Sequence, residues 1–213
     1  MKKIENKLSE KLSLGIIEFY GIKEVKSENI FYNYIEEELN ILKNADFPHS
    51  NFKMMRKLYK SFKIDPTKYR PSSEALWRRL KKKGDFPKIN PKVDLLNLLS
   101  LKYQISCGLY DIDKIRGDIT ISIGDREDFY RGIRKERINL NGKILVKDEI
   151  GPFGNPSSDS LRTSVDEQSE NIMILLFSTR DYALGEDFKN IVNCFIQVYE
   201  KLFEINSIKV NII

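Results

Sequence analysis

The segment that most constrains the fold is a leucine-rich helix predicted to begin at residue 90. Asn90 is a preferred N-cap, and Pro91 suits the first helical position because an N–H there would have no partner within the helix. Leucines then cover most of the circumference, at Leu95, Leu96, Leu98, Leu99 and Leu101. A helix that is apolar on most sides is buried rather than laid on a surface. The rest of the chain must therefore build a core around this helix.

Polar side chains interrupt one face of this helix. Asp94, Asn97 and Ser100 follow one another at intervals of three residues. Buried polar groups cost free energy unless they are hydrogen-bonded. We expect Asp94 and Asn97 to hold a neighbouring loop, and direct participation in catalysis is the alternative.

Apolar periodicity elsewhere predicts alternating strands and helices. Strands are predicted over residues 12–20, with a bulge at Gly15, and over residues 118–123, 143–147, 171–178 and 207–213. Helices are predicted after Ser27, over 51–63, after an N-cap at Ser72, and over 185–203. Residues 125–137 read as a hairpin-like excursion, and the Gly/Pro/Ser-rich residues 151–160 as an irregular loop. The expected fold is α/β, in the α+β sense: a single domain over 1–213, with helices packed against a mixed central sheet.

Composition narrows the chemistry. No apolar run approaches the roughly 20 residues of a membrane-spanning helix, and the lysine-containing N-terminus lacks the apolar stretch of a signal peptide. Cys107 and Cys194 are far apart, which predicts neither a disulfide framework nor a metal site and favours a reducing cytoplasm. His49 is the single histidine, so sites built on several histidines are excluded, and a Ser/His/Asp triad would have to use it. We expect His49 in an exposed loop and expect no cofactor.

Basic side chains cluster in two predicted helices, although the net charge is only +5. The first helix carries Lys53, Arg56, Lys57, Lys60 and Lys63. Arg70 precedes the second helix, which carries Arg78, Arg79, Lys81, Lys82 and Lys83. Such a set can bind phosphates or can simply suit the helix dipole and keep the protein in solution. Both readings stay open.

Three spaced motifs carry a family resemblance. They are Asp94-x-x-Asn97, the pair Tyr110-Asp111, and Asp111-x-Asp113-Lys114. In this order they resemble the B3/B4 domain, the editing domain of the phenylalanyl-tRNA synthetase beta subunit. Flanking motifs at residues 69–76, 159–163 and 171–172 resemble the free-standing version of that domain. The resemblance implies a core over 69–178, to which residues 1–68 add an N-terminal strand and helices.

The resemblance implies a substrate and a reaction. In the family, the pocket binds the amino acid at the 3′ end of a mischarged tRNA, and water hydrolyses the ester. Such a reaction needs a positioned water and a stabilised oxyanion. Asp94, Asn97, Tyr110 and Asp111 match the substrate-binding pattern, whereas Gly108 stands where the family has histidine. Leu161 stands near the position of an acidic residue associated with reading the tyrosine hydroxyl, which argues against tyrosine specificity.

The catalytic assignments follow the free-standing family. Its acidic pair corresponds to Asp148-Glu149, and Arg162-Thr163 also recurs. We expect Glu149 or Asp148 to orient the water, Arg162 to hold a phosphate or carboxylate, and Thr163 to offer a hydroxyl. The alternative for Arg162 is an internal salt bridge to Asp159 or Asp148.

Three functions remain open from the sequence. The chain could be a deacylase that clears mischarged tRNA in trans, a non-catalytic module for tRNA or an amino acid, or an interaction protein. The expected partner is tRNA or aminoacyl-tRNA, and the expected RNA contacts are Arg70, Arg78, Arg79, Lys81, Lys82 and Lys83. The chain lacks a Gly-rich phosphate loop, so it is not expected to charge tRNA itself.

Overall fold

The computed structural model describes residues 1–44, 50–133 and 135–213, and His49 lies outside them. The strands are β1 (Ile4–Asn6), β2 (Leu12–Tyr20), β3 (Cys107–Asp111), β4 (Ile119–Ile123), β5 (Phe129–Tyr130), β6 (Ile138–Asn139), β7 (Ile144–Lys147), β8 (Pro152–Asn155), β9 (Ser158–Asp159), β10 (Ile172–Thr179) and β11 (Ser207–Ile212). The helices are α1 (Glu28–Asn44), α2 (Ser50–Ser61), α3 (Ser72–Lys83), α4 (Pro91–Tyr103), α5 (Arg180–Ala183) and α6 (Glu186–Leu202). None of these helices combines the length and the apolar character needed to cross a bilayer.

The central sheet has four antiparallel strands in the order β11-β2-β10-β3. Strand β10 is buried along nearly its whole length, which confirms the prediction that this apolar run is covered on both faces. Pairing runs in continuous register through Gly15, so the predicted bulge is wrong. The glycine instead admits α6, because a Cβ at residue 15 would lie 2.9 Å from Val192 Cγ2.

A second sheet has five strands in the order β1-β4-β7-β8-β9. It is the mixed sheet, since β1 runs parallel to β4 whereas its other pairs are antiparallel. The prediction of an irregular loop over 151–160 is wrong, because β8 and β9 form a hairpin there. Pro152 occupies the first strand position, where proline is tolerated. Asn155 Oδ1 closes the turn by accepting from the N–H groups of Ser157 and Ser158. The hairpin-like excursion is confirmed as β5 and β6.

Alternating side chains of the central sheet contribute to two cores. One face, including Phe19 and Ile174, packs against helices α1, α4 and α6. The other face, including Leu14 and Leu175, packs against the second sheet and α2. The predicted α/β architecture with helices packed on a sheet is therefore confirmed, in three layers.

Helix α4 is buried in the first core, as its sequence predicts. Asn90 caps it by accepting from Val93 N–H at 3.0 Å. Leu95, Leu98 and Leu99 have no exposed surface, and burying each contributes about 1.5–3 kcal/mol. The expected cap on α3 is wrong: the N-cap is Pro71, and Ser72 is the first helical residue. Ser72 N–H donates to Pro156 O, which ties α3 to the β8–β9 turn.

Candidate functional site

Tyr110 fills the space beside Gly108, where the family resemblance places a histidine. The tyrosine is fully buried, and its ring packs edge-on against Phe153 with 4.9 Å between centroids. A Cβ at Gly108 would lie 2.0 Å from the Tyr110 hydroxyl oxygen, and one at Gly154 would lie 2.2 Å from it. Both glycines are thus required by the tyrosine that spans β3 and β8. In this structure the Gly108 backbone lies against the Tyr110 ring and hydroxyl.

Asp159 lies beside this tyrosine. Its Oδ2 accepts from Leu109 N–H at 3.4 Å. Its Oδ1 and the Tyr110 hydroxyl are buried without a well-oriented hydrogen-bond partner among the described residues, although each group affects the pKa of the other. Burial raises the pKa of Asp159 to about 7, against the effect of Tyr110 and Leu109 N–H. Sequence reasoning treated Asp159 only as a partner for Arg162, and no local pattern distinguishes it as a buried acid.

Asp148 and Arg162 form an internal ion pair. The guanidinium reaches Asp148 Oδ2 at 3.0 Å and Oδ1 at 2.9 Å, and it also donates to Lys114 O and Gly151 O. Asp148 accepts further bonds from the N–H groups of Arg116, Ile150 and Gly151. Burial alone would raise the pKa of Asp148, but these donors hold it below its usual range. The salt-bridge alternative for Arg162 is therefore present, and both groups are engaged within the protein.

Glu149 differs from its neighbour. Its side chain is exposed, and its N–H donates to Arg116 O at 3.2 Å. The carboxylate lies against Gly117, which has a φ of +67° and where a Cβ would be 2.0 Å from Oε1. Nothing in the described part of the chain hydrogen-bonds to this carboxylate or pairs with it. Of the predicted acidic pair, Glu149 is therefore the member whose carboxylate remains open to solvent.

Among the remaining predicted site residues, Asp94, Asp111 and Thr163 bond to neighbouring loops. Asp94 Oδ1 accepts from Ile89 N–H at 2.9 Å, which confirms its predicted loop-holding role; burial raises its pKa. Asn97 is half-buried on the same helix. Asp111 accepts from Ser169 Oγ at 2.6 Å and from Asp113 N–H at 2.9 Å. Thr163 is buried, and its backbone carbonyl accepts from Asp111 N–H, so these two predicted residues do meet. The Thr163 hydroxyl shares a hydrogen bond of 3.1 Å with Ser160 Oγ.

A small crevice is lined by residues of the β8–β9 turn and by Tyr59, Tyr69 and Lys143. Its cavity volume of about 10 Å³ has room for about one water. Lys143 Nζ lies 3.9 Å from the ring centroid of Tyr69 at this crevice. Sequence reasoning missed this pair, because residues so far apart in the chain leave no spacing signal. The described residues contain no group of three or more His, Cys, Asp or Glu side chains that could hold a metal.

The predicted RNA contacts separate into two groups. At the C-terminal end of α3, Arg79 pairs with Asp85, and Lys81 donates to Lys43 O, while Lys82 and Lys83 are exposed. Nearer the start of the helix, Arg70 and Arg78 converge on Glu74 at 3.8 and 3.0 Å. Arg56 of α2, which was not among the predicted RNA contacts, joins them with two bonds of 2.7 Å to the same carboxylate.

The chain is similar to a known protein family and to a solved structure. The model of the B3/4 domain family matches residues 54–183. Among solved structures, the chain is similar to an N-terminal fragment of the phenylalanyl-tRNA synthetase beta subunit from Pyrococcus horikoshii, with 11% identity and a TM-score of 0.44. That similarity covers 96% of this chain and 50% of the other, so the chain spans about half of that fragment. No curated protein matches significantly. Because the family match covers more than half of its residues, the chain belongs to the B3/4 domain family.

Proposed function

We propose that this chain is an RNA-associated B3/4 domain protein that binds tRNA through the surface of α2 and α3. The observation that carries the proposal is the distribution of charge. Residues 50–83 contain 12 basic and 2 acidic side chains, a net charge of +10. The whole chain has +5, so all remaining residues together carry −5. A concentrated positive region on an otherwise acidic protein attracts a polyanion such as RNA.

Contacts between α2 and α3 make this region one surface. Arg56 of α2 is bonded to Glu74 of α3, and Phe52 packs against Trp77 with 6.1 Å between ring centroids. Lys53, Lys57 and Lys60 on α2 and Lys82 and Lys83 on α3 are exposed. The positive charges therefore stand on neighbouring helices, where several can act on one RNA segment.

A second candidate is hydrolysis of mischarged aminoacyl-tRNA in trans, favoured by the exposed Glu149 carboxylate. Glu149 would take a proton from water as that water attacks the ester carbonyl carbon, and the tRNA hydroxyl would leave with a proton. The space beside Gly108 is filled by Tyr110, so the amino acid would bind outside it. This filled space supports the alternative of binding without hydrolysis.

Residues 1–213 are proposed to act as one unit, and the cytoplasm, where tRNA is charged, is the proposed location. Strand β2 lies outside the family match yet stands between β10 and β11 in the central sheet. The N-terminal segment is thus part of the framework that carries the site.

The test measures binding and ester hydrolysis together, with a panel of mischarged tRNAs and the purified chain. Glu149→Gln is compared with Glu127→Gln, another exposed carboxylate. Salt-dependent binding without release of amino acid would support the RNA-binding function. Release that is lost in Glu149→Gln and kept in Glu127→Gln would establish the deacylase. If the chain neither binds tRNA nor releases amino acid, both proposed functions are overturned.

A further inference from the structure

We propose that Arg56, Arg70 and Arg78, gathered around Glu74, form the site that holds an RNA phosphate. This inference rests on the proposed RNA binding and narrows it to one end of the basic surface. In this proposal the phosphate binds to guanidiniums that a buried carboxylate holds in place, and Glu74 is a positioning residue. The lysines at the other end of α3 attract the RNA by their charge without binding a particular phosphate.

Glu74 orients the three guanidiniums. Its side chain is 6% exposed, whereas those of Arg56, Arg70 and Arg78 are 31%, 34% and 58% exposed. Arg56 binds both carboxylate oxygens at 2.7 Å, and Arg78 Nε reaches Oε1 at 3.0 Å. The carboxylate is thus inside the cluster, and the guanidiniums have surface facing water. A fixed fork loses less freedom when it binds a phosphate than a free one does.

The cluster retains positive charge after its internal pairing. Three guanidiniums meet one carboxylate at Glu74. Asp65 also acts on Arg56, and Lys68 acts in turn on Asp65. These six groups sum to +2, and the charge lies on arginines whose planar donors match phosphate oxygens in pairs.

Helix α3 begins beside the cluster. Its first residue is Ser72, and its N-cap Pro71 provides no side-chain cap. Two polar atoms here, Ser72 Oγ and Arg70 Nε, make no hydrogen bond within the described residues, although Arg70 Nε is paired with Glu74 Oε1 at 3.8 Å. The N-terminal end of a helix favours negative charge nearby. The helix start therefore agrees in sign with the arginines.

The opposite end of α3 is organised differently. Arg79 is paired with Asp85, and Lys81 is bonded to Lys43 O and lies over the Trp77 ring. Lys82 and Lys83 are exposed lysines on the last turn, where cations suit the helix dipole. Among the described residues, this end accordingly has no buried carboxylate that holds several guanidiniums in place.

The experiment measures the affinity of a fluorescently labelled tRNA transcript by anisotropy over a series of salt concentrations. The variant Arg70→Gln/Arg78→Gln is compared with Lys189→Gln/Lys201→Gln, which removes the same charge from α6. We expect the arginine variant to bind roughly 10-fold more weakly, with a salt dependence smaller by about 1–2 in the logarithmic slope. The α6 variant should change affinity less than about twofold. Arg78→Gln alone, at the most exposed of the three arginines, repeats the test with little risk to folding.

Glu74→Gln separates positioning from charge. The substitution adds one net positive charge but removes the group that orients the arginines. We expect weaker binding than in the wild type, with the loss persisting at temperatures well below the melting temperature of the variant. Stronger binding would show that charge alone acts here and would overturn the positioning role.

The outcomes distinguish this inference from the proposed function. Equal losses in the arginine and α6 variants, with the wild type binding tRNA, would overturn the inference and leave RNA binding standing. If the wild type does not bind tRNA, both the inference and the proposed function are overturned. Competition by polyglutamate as effective as competition by unlabelled tRNA would show an acidic protein to be an equally good partner, and would overturn the assignment to RNA.

Discussion

Tyr110 and the two glycines around it are interdependent residues. The hydroxyl oxygen sits where a Cβ of Gly108 or of Gly154 would stand. Protein interiors are packed too densely to accept such an atom without moving something. The departure from histidine at residue 108 therefore has a packing reason, since the tyrosine at 110 already uses that space.

Gly108→Ala tests this packing. The added methyl would lie 2.0 Å from the Tyr110 hydroxyl oxygen, so we expect a loss of about 2–4 kcal/mol in the free energy of unfolding. Chemical denaturation measures it. In a Tyr110→Phe background the nearest atom is gone and the cost should decrease. An unchanged cost in that background would contradict the interpretation.

Asp159 predicts how stability varies with pH. Its pKa is raised from 3.8 to about 7 in the folded protein, so the folded state retains a proton that the unfolded state loses. The free energy of unfolding should therefore decrease as the pH rises from about 4 to about 7, by at most about 4 kcal/mol, and then level off. Asp159→Asn should flatten this slope and leave only the decrease that follows from the raised pKa of Asp94, whereas the exposed Asp181→Asn should keep the slope. Chemical denaturation at several pH values measures the free energy of unfolding. An equal decrease of that free energy with pH in Asp159→Asn and in the wild type would refute the assignment.

At the scale of elements, the Asp148 carboxylate joins three parts of the chain. It follows β7, accepts from Arg116 N–H after β3, and pairs with Arg162 after β9. The Arg162–Asp148 pair thus fixes the loops beside Glu149. A loss of function on changing Arg162 would therefore report displaced loops as readily as lost substrate binding.

Arg162→Ala should cost about 3–5 kcal/mol of stability, because it leaves a buried carboxylate without its cation. Adding Asp148→Asn should recover part of this loss. The control is Arg131→Ala, whose pair with Glu136 is exposed at both side chains and should be worth less than about 1 kcal/mol. Equal costs for the two arginines would contradict this prediction.

The same ion pair predicts a dependence on pH. Because the pKa of Asp148 is lowered, the stability that this carboxylate contributes should be present above the usual carboxyl range and be lost as the pH falls through the lowered pKa.

At the scale of the whole molecule, the family match is smaller than the folded unit. A fragment of residues 54–183 lacks β2, which pairs with β10 at eight positions. It would expose one hydrogen-bonding edge of β10, and because it also lacks α1 and α6 it would expose the apolar face that these helices cover. We therefore expect it to be unfolded or aggregated. Circular dichroism and thermal melting of the fragment measure this. A soluble fragment with a cooperative transition would show that the proposed single unit is divisible.

Local patterns predicted the elements better than the contacts between them. The cap at Asn90, the burial of β10 and the apolar stripe of α6 follow from neighbouring residues, and all are observed. The hairpin over 151–160 was missed because glycine, proline and serine are equally common in tight turns and loops. The Arg162–Asp148 pair was foreseen as an alternative. The packing of Tyr110 on Gly154 and the joining of Arg56 to Glu74 depend on folding that no spacing encodes.

The position of β2 between β10 and β11 has a consequence for how this chain folds. The paired residues of β2 and β10 are 153 to 167 positions apart in the chain. Closing so long a loop costs entropy before any contact forms, and proteins dominated by distant pairings fold slowly. On the ribosome, β2 is made early and stays without either neighbour until β10 emerges. During that interval its apolar side chains are open to association with other chains, so refolding yield should decrease as protein concentration rises.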